Sequence, residues 1–169
     1  MAIEDLKSER LKLSPFNSVD ARELFGFMSD AKSMEHTYVA PSIEHCLNRL
    51  NAYEEQRSKF GFAPWVIRSS QSGPIIGWGG LCLDTEEPSW GLEVIYAFTP
   101  SSWGQGYATE LVQYSLNFAF AQLAAPEVHA FAKPANAQSI KVLQRTGFGL
   151  LRYEPSLERN HYIVRASAA

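Results

Sequence analysis

The run EVIYAFTPSSWGQGYATELVQYSLNFAF, Glu93 to Phe120, constrains the chain more than any other segment. A strand-like stretch stops at Pro100, passes through two serines, a tryptophan and Gly104-Gln105-Gly106, and gives way to a long amphipathic helix. A helix start exposes unpaired N–H groups and about half a positive charge. Glycines at 104 and 106 remove the side chains that would keep an anion away from those amides. Two readings stand at this point. The glycines build a phosphate cradle from backbone dipoles, or they only permit a tight strand-to-helix turn.

Two common nucleotide motifs are excluded by the letters. A Walker loop needs Gly-Lys-Ser/Thr after four intervening residues, and the chain has none. A dinucleotide fingerprint needs a third glycine and an acidic residue closing the next strand; here the third place is Thr109, and Glu127 precedes its strand.

The rest of the chain reads as alternating short elements. Strands are expected at Glu9–Phe16, Phe62–Ser69, Ile75–Leu83, Glu93–Phe98, Val128–Ala132, Phe148–Tyr153 and His161–Arg165. Helices are expected from Ser18 to Ser29, from Ser42 to Lys59, from Gln105 to Leu123, and from the Asn136 cap to Thr146 with Gly147 as the stop. The strands around residues 62–83 read as a hairpin closed by Ser70-Gln71-Ser72-Gly73, and Gly77, Gly79 and Gly80 predict a weak or bulged second strand. This order does not alternate strictly. It predicts an α/β fold with a mixed, mostly antiparallel sheet and helices on both faces, as one domain over 1–169.

At 46% hydrophobic and 20% charged residues the composition is that of an ordinary soluble domain, and no apolar run approaches a bilayer span. Charges in MAIEDLKSER argue against a signal peptide, so a cytoplasmic location is expected. A net charge of −3 without a basic stripe argues against nucleic acid, and no membrane partner is expected. Cys46 and Cys82 lack metal-ligand spacing and read as buried free thiols; no metal site is expected.

WGQGYATEL resembles motif A of the GNAT acyltransferases, Arg/Gln-x-x-Gly-x-Gly/Ala, with Trp103 in the Arg/Gln place. The form Gly-x-Gly-Tyr-Ala-Thr-Glu, with NAQSIKVLQRTGF from Asn136 to Phe148 downstream, is similar to the ribosomal-protein Nα-acetyltransferases of RimJ/RimL type. The resemblance implies the GNAT fold and acetyl-coenzyme A as cosubstrate. It implies that the turn and helix start at Trp103, Gly104, Gln105, Gly106, Tyr107, Ala108 and Thr109 hold the pyrophosphate. Ala97 and Phe98 would pair with the pantetheine arm like an added strand edge, and Asn136, with Ser139 one helical turn on, would meet the same arm.

Amide formation from a thioester needs a neutral amine, a polarised carbonyl and a protonated leaving thiol. Glu93 is the first base candidate, with a solvated or ion-paired strand-end glutamate as the plain alternative. His129 competes for the role, though a lone strand histidine is commonly just packed. Ser139 is the acid candidate; the plain alternative is a serine bonding the helix backbone near its cap. Trp65, Trp78, Trp90, His36 and Tyr38 could line an acceptor pocket or serve as core, and Lys141 and Arg145 could reach a coenzyme phosphate or stay solvated. The expected reaction moves an acetyl group to a primary amine, on a protein N-terminus or a small molecule. An acyl-coenzyme A binding or sensing domain without transfer is the alternative. A homodimer is compatible with the sequence.

Overall fold

The computed structural model describes residues 6–69 and 73–167, so Ser70, Gln71 and Ser72 of the expected hairpin connection lie outside the described residues. One eight-stranded sheet runs through the molecule in the order β1-β2-β3-β4-β5-β6-β8-β7. Its strands are β1 (Leu6–Lys7), β2 (Leu11–Ser14), β3 (Trp65–Ser69), β4 (Ile75–Leu83), β5 (Leu92–Phe98), β6 (Glu127–Ala132), β7 (Gly149–Glu154) and β8 (Arg159–Arg165). Every neighbouring pair is antiparallel except β5 and β6, which run parallel. The mixed, mostly antiparallel sheet expected from the order of elements is therefore present.

Helices α1 (Ala21–Met28) and α2 (Ile43–Phe60) cover one face, and α3 (Tyr107–Ala121) and α4 (Ala137–Arg145) the other. Period-two alternation divides the side chains between these layers. Val66, Trp78 and Cys82 pack with Leu24, Met28, Cys46 and Leu50 under α1 and α2. Leu81, Val94 and Val128 pack with Val112, Leu116 and Leu143 under α3 and α4. Cys46 and Cys82 are free and buried, and burial pushes the Cys82 thiol well up.

The caps explain where helices begin. Ser42 Oγ accepts from His45 N at 3.1 Å, and Asn136 Oδ1 accepts from Ser139 N at 3.1 Å. Two expectations are corrected. The first strand is shorter than Glu9–Phe16, because Ser8 N donates to Leu11 O and turns the chain back into the added strand β1. Helix α3 begins at Tyr107 instead of Gln105, because Gly106 takes a left-handed conformation, φ 79°, and closes the turn before it.

Glycine-rich β4 is neither short nor frayed: it pairs with β5 over its whole run from Gly77↔Phe98 to Leu83↔Leu92. A bulge is present on its other side, where the register with β3 shifts between Ile67 and Arg68. The glycines answer to close approach. Thr99 N donates to Ile76 O, so by alternation Gly77–Phe98 and Gly79–Tyr96 are the non-hydrogen-bonded pairs, in which strands come nearest. A Cβ on Gly79 would sit 2.5 Å from the Ile95 carbonyl oxygen and 2.7 Å from the Tyr96 Cα. These are backbone atoms and cannot swing away.

Gly79→Ala should therefore destabilise the fold by about 1–3 kcal/mol, the usual cost of overpacking. Gly26→Ala, in α1 with nothing within 4 Å of the added carbon, should be neutral or stabilising by up to about 1 kcal/mol. Urea unfolding of both variants checks the pair; equal effects would contradict the packing argument.

Candidate active site

Strands β5 and β6 meet at a single bridge, Glu93↔His129, although β5 continues to Phe98 and β6 to Ala132. Beyond that bridge they part. On its other edge β5 stays fully paired to β4. The alternation fixed by Thr99 N then turns the N–H and C=O of Glu93, Ile95 and Ala97 toward β4, and those of Tyr96 and Phe98 toward the opening. This corrects the expected added-strand edge. Ala97 contributes its side chain to the opening, while the backbone groups turned there belong to Tyr96 and Phe98. The Phe98 carbonyl is taken by Trp103 Nε1 at 2.8 Å, which leaves its N–H. Trp103 thus ties the glycine turn to the end of β5.

A cavity of about 260 Å³ fills the opening, with Ile95, Tyr96 and Ala97 on one wall and Ala130, Phe131, Asn136 and Ser139 on the other. Helix α3 starts past the end of β5, and no residue of the glycine turn or of α3 lines the cavity. Gly104 and Gly106 have φ of 74° and 79°, so the turn itself requires glycine. Nothing lies within 4 Å of a Cβ built on Gly104. Among the described residues no acceptor is found for the N–H groups of Gln105, Gly106, Tyr107, Ala108 or Thr109. Unpartnered amides under open space fit a phosphate group.

The turn is braced from a residue that the sequence did not single out. Arg10 Nη1 donates to Gln105 O at 2.9 Å, and the guanidinium lies 4.8 Å from the centre of the Tyr107 ring. Arg10 Nε, Arg10 N and Ser8 Oγ all donate to the Glu110 carboxylate. Burial alone would raise Glu110, but these donors outweigh it and hold the carboxyl below its ordinary value. Tyr107 stacks on Phe98 with centroids 6.4 Å apart, a packing role.

Glu93 stands at the fork itself, on the cavity wall facing α1 and α2. Burial, then the negative charge of Asp84, push its carboxyl up to about 7, against the opposing guanidiniums of Arg159 and Arg49. Near neutral pH it can take and release a proton. Opposite, Ser139 does not bond the helix backbone through its hydroxyl: its Oγ lies 2.7 Å from the Tyr96 hydroxyl. Tyr96 is pushed up to about 12 by burial, so the pair keeps its protons at neutral pH. Sequence reasoning passed over Tyr96; its place on the Val94–Phe98 face, aimed at the last long helix, was the available signal.

His129 is drawn away from the cavity. It is buried, its Nδ1 lies 2.9 Å from His161 Nε2, and its Nε2 lies 3.3 Å from Glu127 Oε1. Of the aromatic candidates, Trp78, Trp90, His36 and Tyr38 line the cavity. Trp65 does not: it is buried against Tyr114 and Phe118, in the core. Lys141 and Arg145 are exposed on α4. Arg49 and Arg159, unremarked in the sequence, are the cavity's two guanidiniums. No helix among the described residues is long and apolar enough to cross a membrane.

Comparison with known proteins agrees with this geometry. The profile of the family described as "Acetyltransferase (GNAT) domain" matches residues 10–149. The chain is 28% identical over 169 residues to a protein of Bacillus licheniformis named "Uncharacterized N-acetyltransferase p20", covering 93% of this chain and 91% of that protein. Its fold is similar to that of an acetyltransferase from Agrobacterium tumefaciens str. C58, with a TM-score of 0.82 at 22% identity over 98% of this chain and 96% of that one. It is also similar to RimL, a ribosomal L7/L12 alpha-N-protein acetyltransferase solved with coenzyme A, with a TM-score of 0.78 at 16% identity over 98% and 100% of the two chains. A glycine turn braced by Arg10, a forked sheet and a family match across most of its length make this chain a member of the GNAT acetyltransferase family.

Proposed function

We propose that the chain is an N-acetyltransferase of the RimJ/RimL branch that moves an acetyl group from acetyl-coenzyme A to a primary amine by direct attack. The observation that carries this reading is the position of Glu93, a proton-accepting carboxyl at about 7, where β5 and β6 part. Acetyl-coenzyme A supplies the activated acetyl thioester.

The chain's own groups divide the work. The N–H groups from Gln105 to Thr109 bind the pyrophosphate, aided by the positive end of α3. The inward N–H and C=O of Tyr96 hold the pantetheine arm as an extra strand would be held, and the Phe98 N–H polarises the acetyl carbonyl. Glu93 accepts, directly or through water, the proton that an alkylammonium must lose before it attacks. The new C–N bond forms as the C–S bond breaks, and Ser139 Oγ gives the departing sulfur a proton that Tyr96 replaces. The second proton, shed by the nitrogen as it becomes an amide, returns to Tyr96 through water, and Glu93 gives the first to solvent. Positioning of amine and acetyl group in the fork supplies the remainder.

Glu93→Gln should lower kcat/KM at pH 7 by about a hundredfold and abolish a rise in rate centred near pH 7. An unchanged pH profile would remove Glu93 from the mechanism. The same group also makes a stability statement. Because its folded-state value is raised from 4.5 to about 7, its contribution is full below pH 4.5 and is lost as pH rises through about 7. Melting temperatures between pH 4 and 9 should show this decline in the native chain and a flatter one in Glu93→Gln.

Gly106→Val puts a β-branched residue at φ 79° and should weaken coenzyme A binding at least about tenfold by calorimetry. Ser139→Ala should lower kcat by about tenfold or more with coenzyme affinity unchanged. Release of free thiol from acetyl-coenzyme A across a panel of amines and peptide N-termini tests the whole reading. Binding of the coenzyme without thiol release from any acceptor would identify a sensing domain instead.

A further inference from the structure

The cavity holds more charge than acetyl transfer to a simple amine requires. Two guanidiniums, Arg49 and Arg159, line it together with the carboxyl groups of Asp84 and Glu93. Both guanidiniums act on Glu93 through space, and among the described residues neither forms an ion pair with a carboxylate within 4.0 Å. The nearby acids are otherwise engaged. Asp84 Oδ1 accepts from the N–H groups of Glu86 and Glu87 at 2.8 and 2.7 Å. Glu154, across the ladder from Arg159, accepts from Arg152 Nε and Ser156 Oγ at 3.2 Å each.

Arg49 is held in place by flat apolar surfaces. Its guanidinium lies 5.6 Å from the centre of the Tyr38 ring and 5.9 Å from that of Trp78, and it stands beside the Tyr53 hydroxyl. Arg159 is half-buried at the start of β8, and burial lowers its hold on its proton. A partly desolvated cation with no carboxylate at ion-pair distance is costly to keep. Two of them line one small cavity, from α2 and β8, and the planar guanidinium is the side chain best suited to receive a carboxylate.

We propose that the acceptor is a small amino carboxylate whose carboxylate is bound by Arg49 and Arg159 while its amine faces Glu93. This deepens the transfer reading and rests on it. The amine and the carboxylate of one small molecule complement the carboxyl and the guanidiniums of the wall in a single pose. The space is small, about 260 Å³ including the room that the acetyl end of the donor needs, which suits a free amino acid. Polyamines and other polycations fit poorly. Their second ammonium would meet fixed positive charge at short range in a partly water-excluded site.

Thiol release should be measured with free α-amino acids, their α-carboxamides, straight-chain diamines and peptides with free N-termini. The native chain should favour the best amino acid over its own carboxamide by about tenfold or more in kcat/KM, mostly through KM. Arg49→Met and Arg159→Met should each raise KM for that amino acid by roughly tenfold to a hundredfold and leave KM for the carboxamide unchanged. The pH profile set by Glu93 should move upward for both substrates alike, because each guanidinium holds that carboxyl down. Arg159→Lys should recover part of the loss. Preference for carboxamides, diamines or peptide N-termini would overturn this inference and leave acetyl transfer standing, as would variants that change KM for both members of the pair equally. Thiol release from no amine at all would remove the transfer reading and this inference together.

Discussion

Everything in the proposed site depends on β5 and β6 parting after one bridge. A parallel pair normally satisfies backbone groups along its length, and unpaired groups away from water are costly. Here pairing ends at Glu93↔His129, and β5 keeps its other edge fully bonded to β4. The strand is therefore rigid on one side and open on the other. The open edge presents the backbone of Tyr96 and Phe98 to whatever enters, and the cavity is the volume that the divergence creates. Glycines at 77 and 79 serve the same end, because they let β4 approach Tyr96 and Phe98 closely enough to hold that edge still.

Electrostatics follow from the fork. A carboxyl at its apex loses water and gains an acidic neighbour, so Glu93 reaches about 7, where a base is useful. The opposite wall carries two hydroxyls, Tyr96 and Ser139, 2.7 Å apart, which stay protonated. The carboxyl and the two hydroxyls thus line one small space. The turn at the start of α3 is held separately, by Arg10 on Gln105 O and by Glu110 receiving Arg10 and Ser8. These contacts join β1–β2 to the glycine turn, which explains why a short N-terminal hairpin bears on a turn about a hundred residues later.

Much of this was legible in the sequence, and the reasons are local. Period-two and period-3.6 patterns, caps at Ser42 and Asn136, and Gly104-Gln105-Gly106 mark elements through short-range physics, so the fold class and the starts of α2 and α4 came through. Glu93 could be named because it sits on a readable strand before a readable turn. What stayed hidden depends on packing between distant segments. Arg10 on Gln105, Tyr96 on Ser139, and the presence of Arg49 and Arg159 in one cavity each bring in residues forty or more positions apart. Ala97 and Phe98 were named without Tyr96, since which backbone groups face the opening is set by the β4 register. Trp65 and His129 carry side chains that suit a pocket equally well, and only the fold sends them into the core.

The central claim is that the donor lies along the open edge of β5 with its phosphates on the first turn of α3. Backbone amide NMR during titration with coenzyme A tests it directly. The account requires the largest shift changes at Gln105, Gly106, Tyr107, Ala108 and Thr109, with a second set at Tyr96 and Phe98. Saturable changes centred elsewhere, with these amides unmoved, would contradict it.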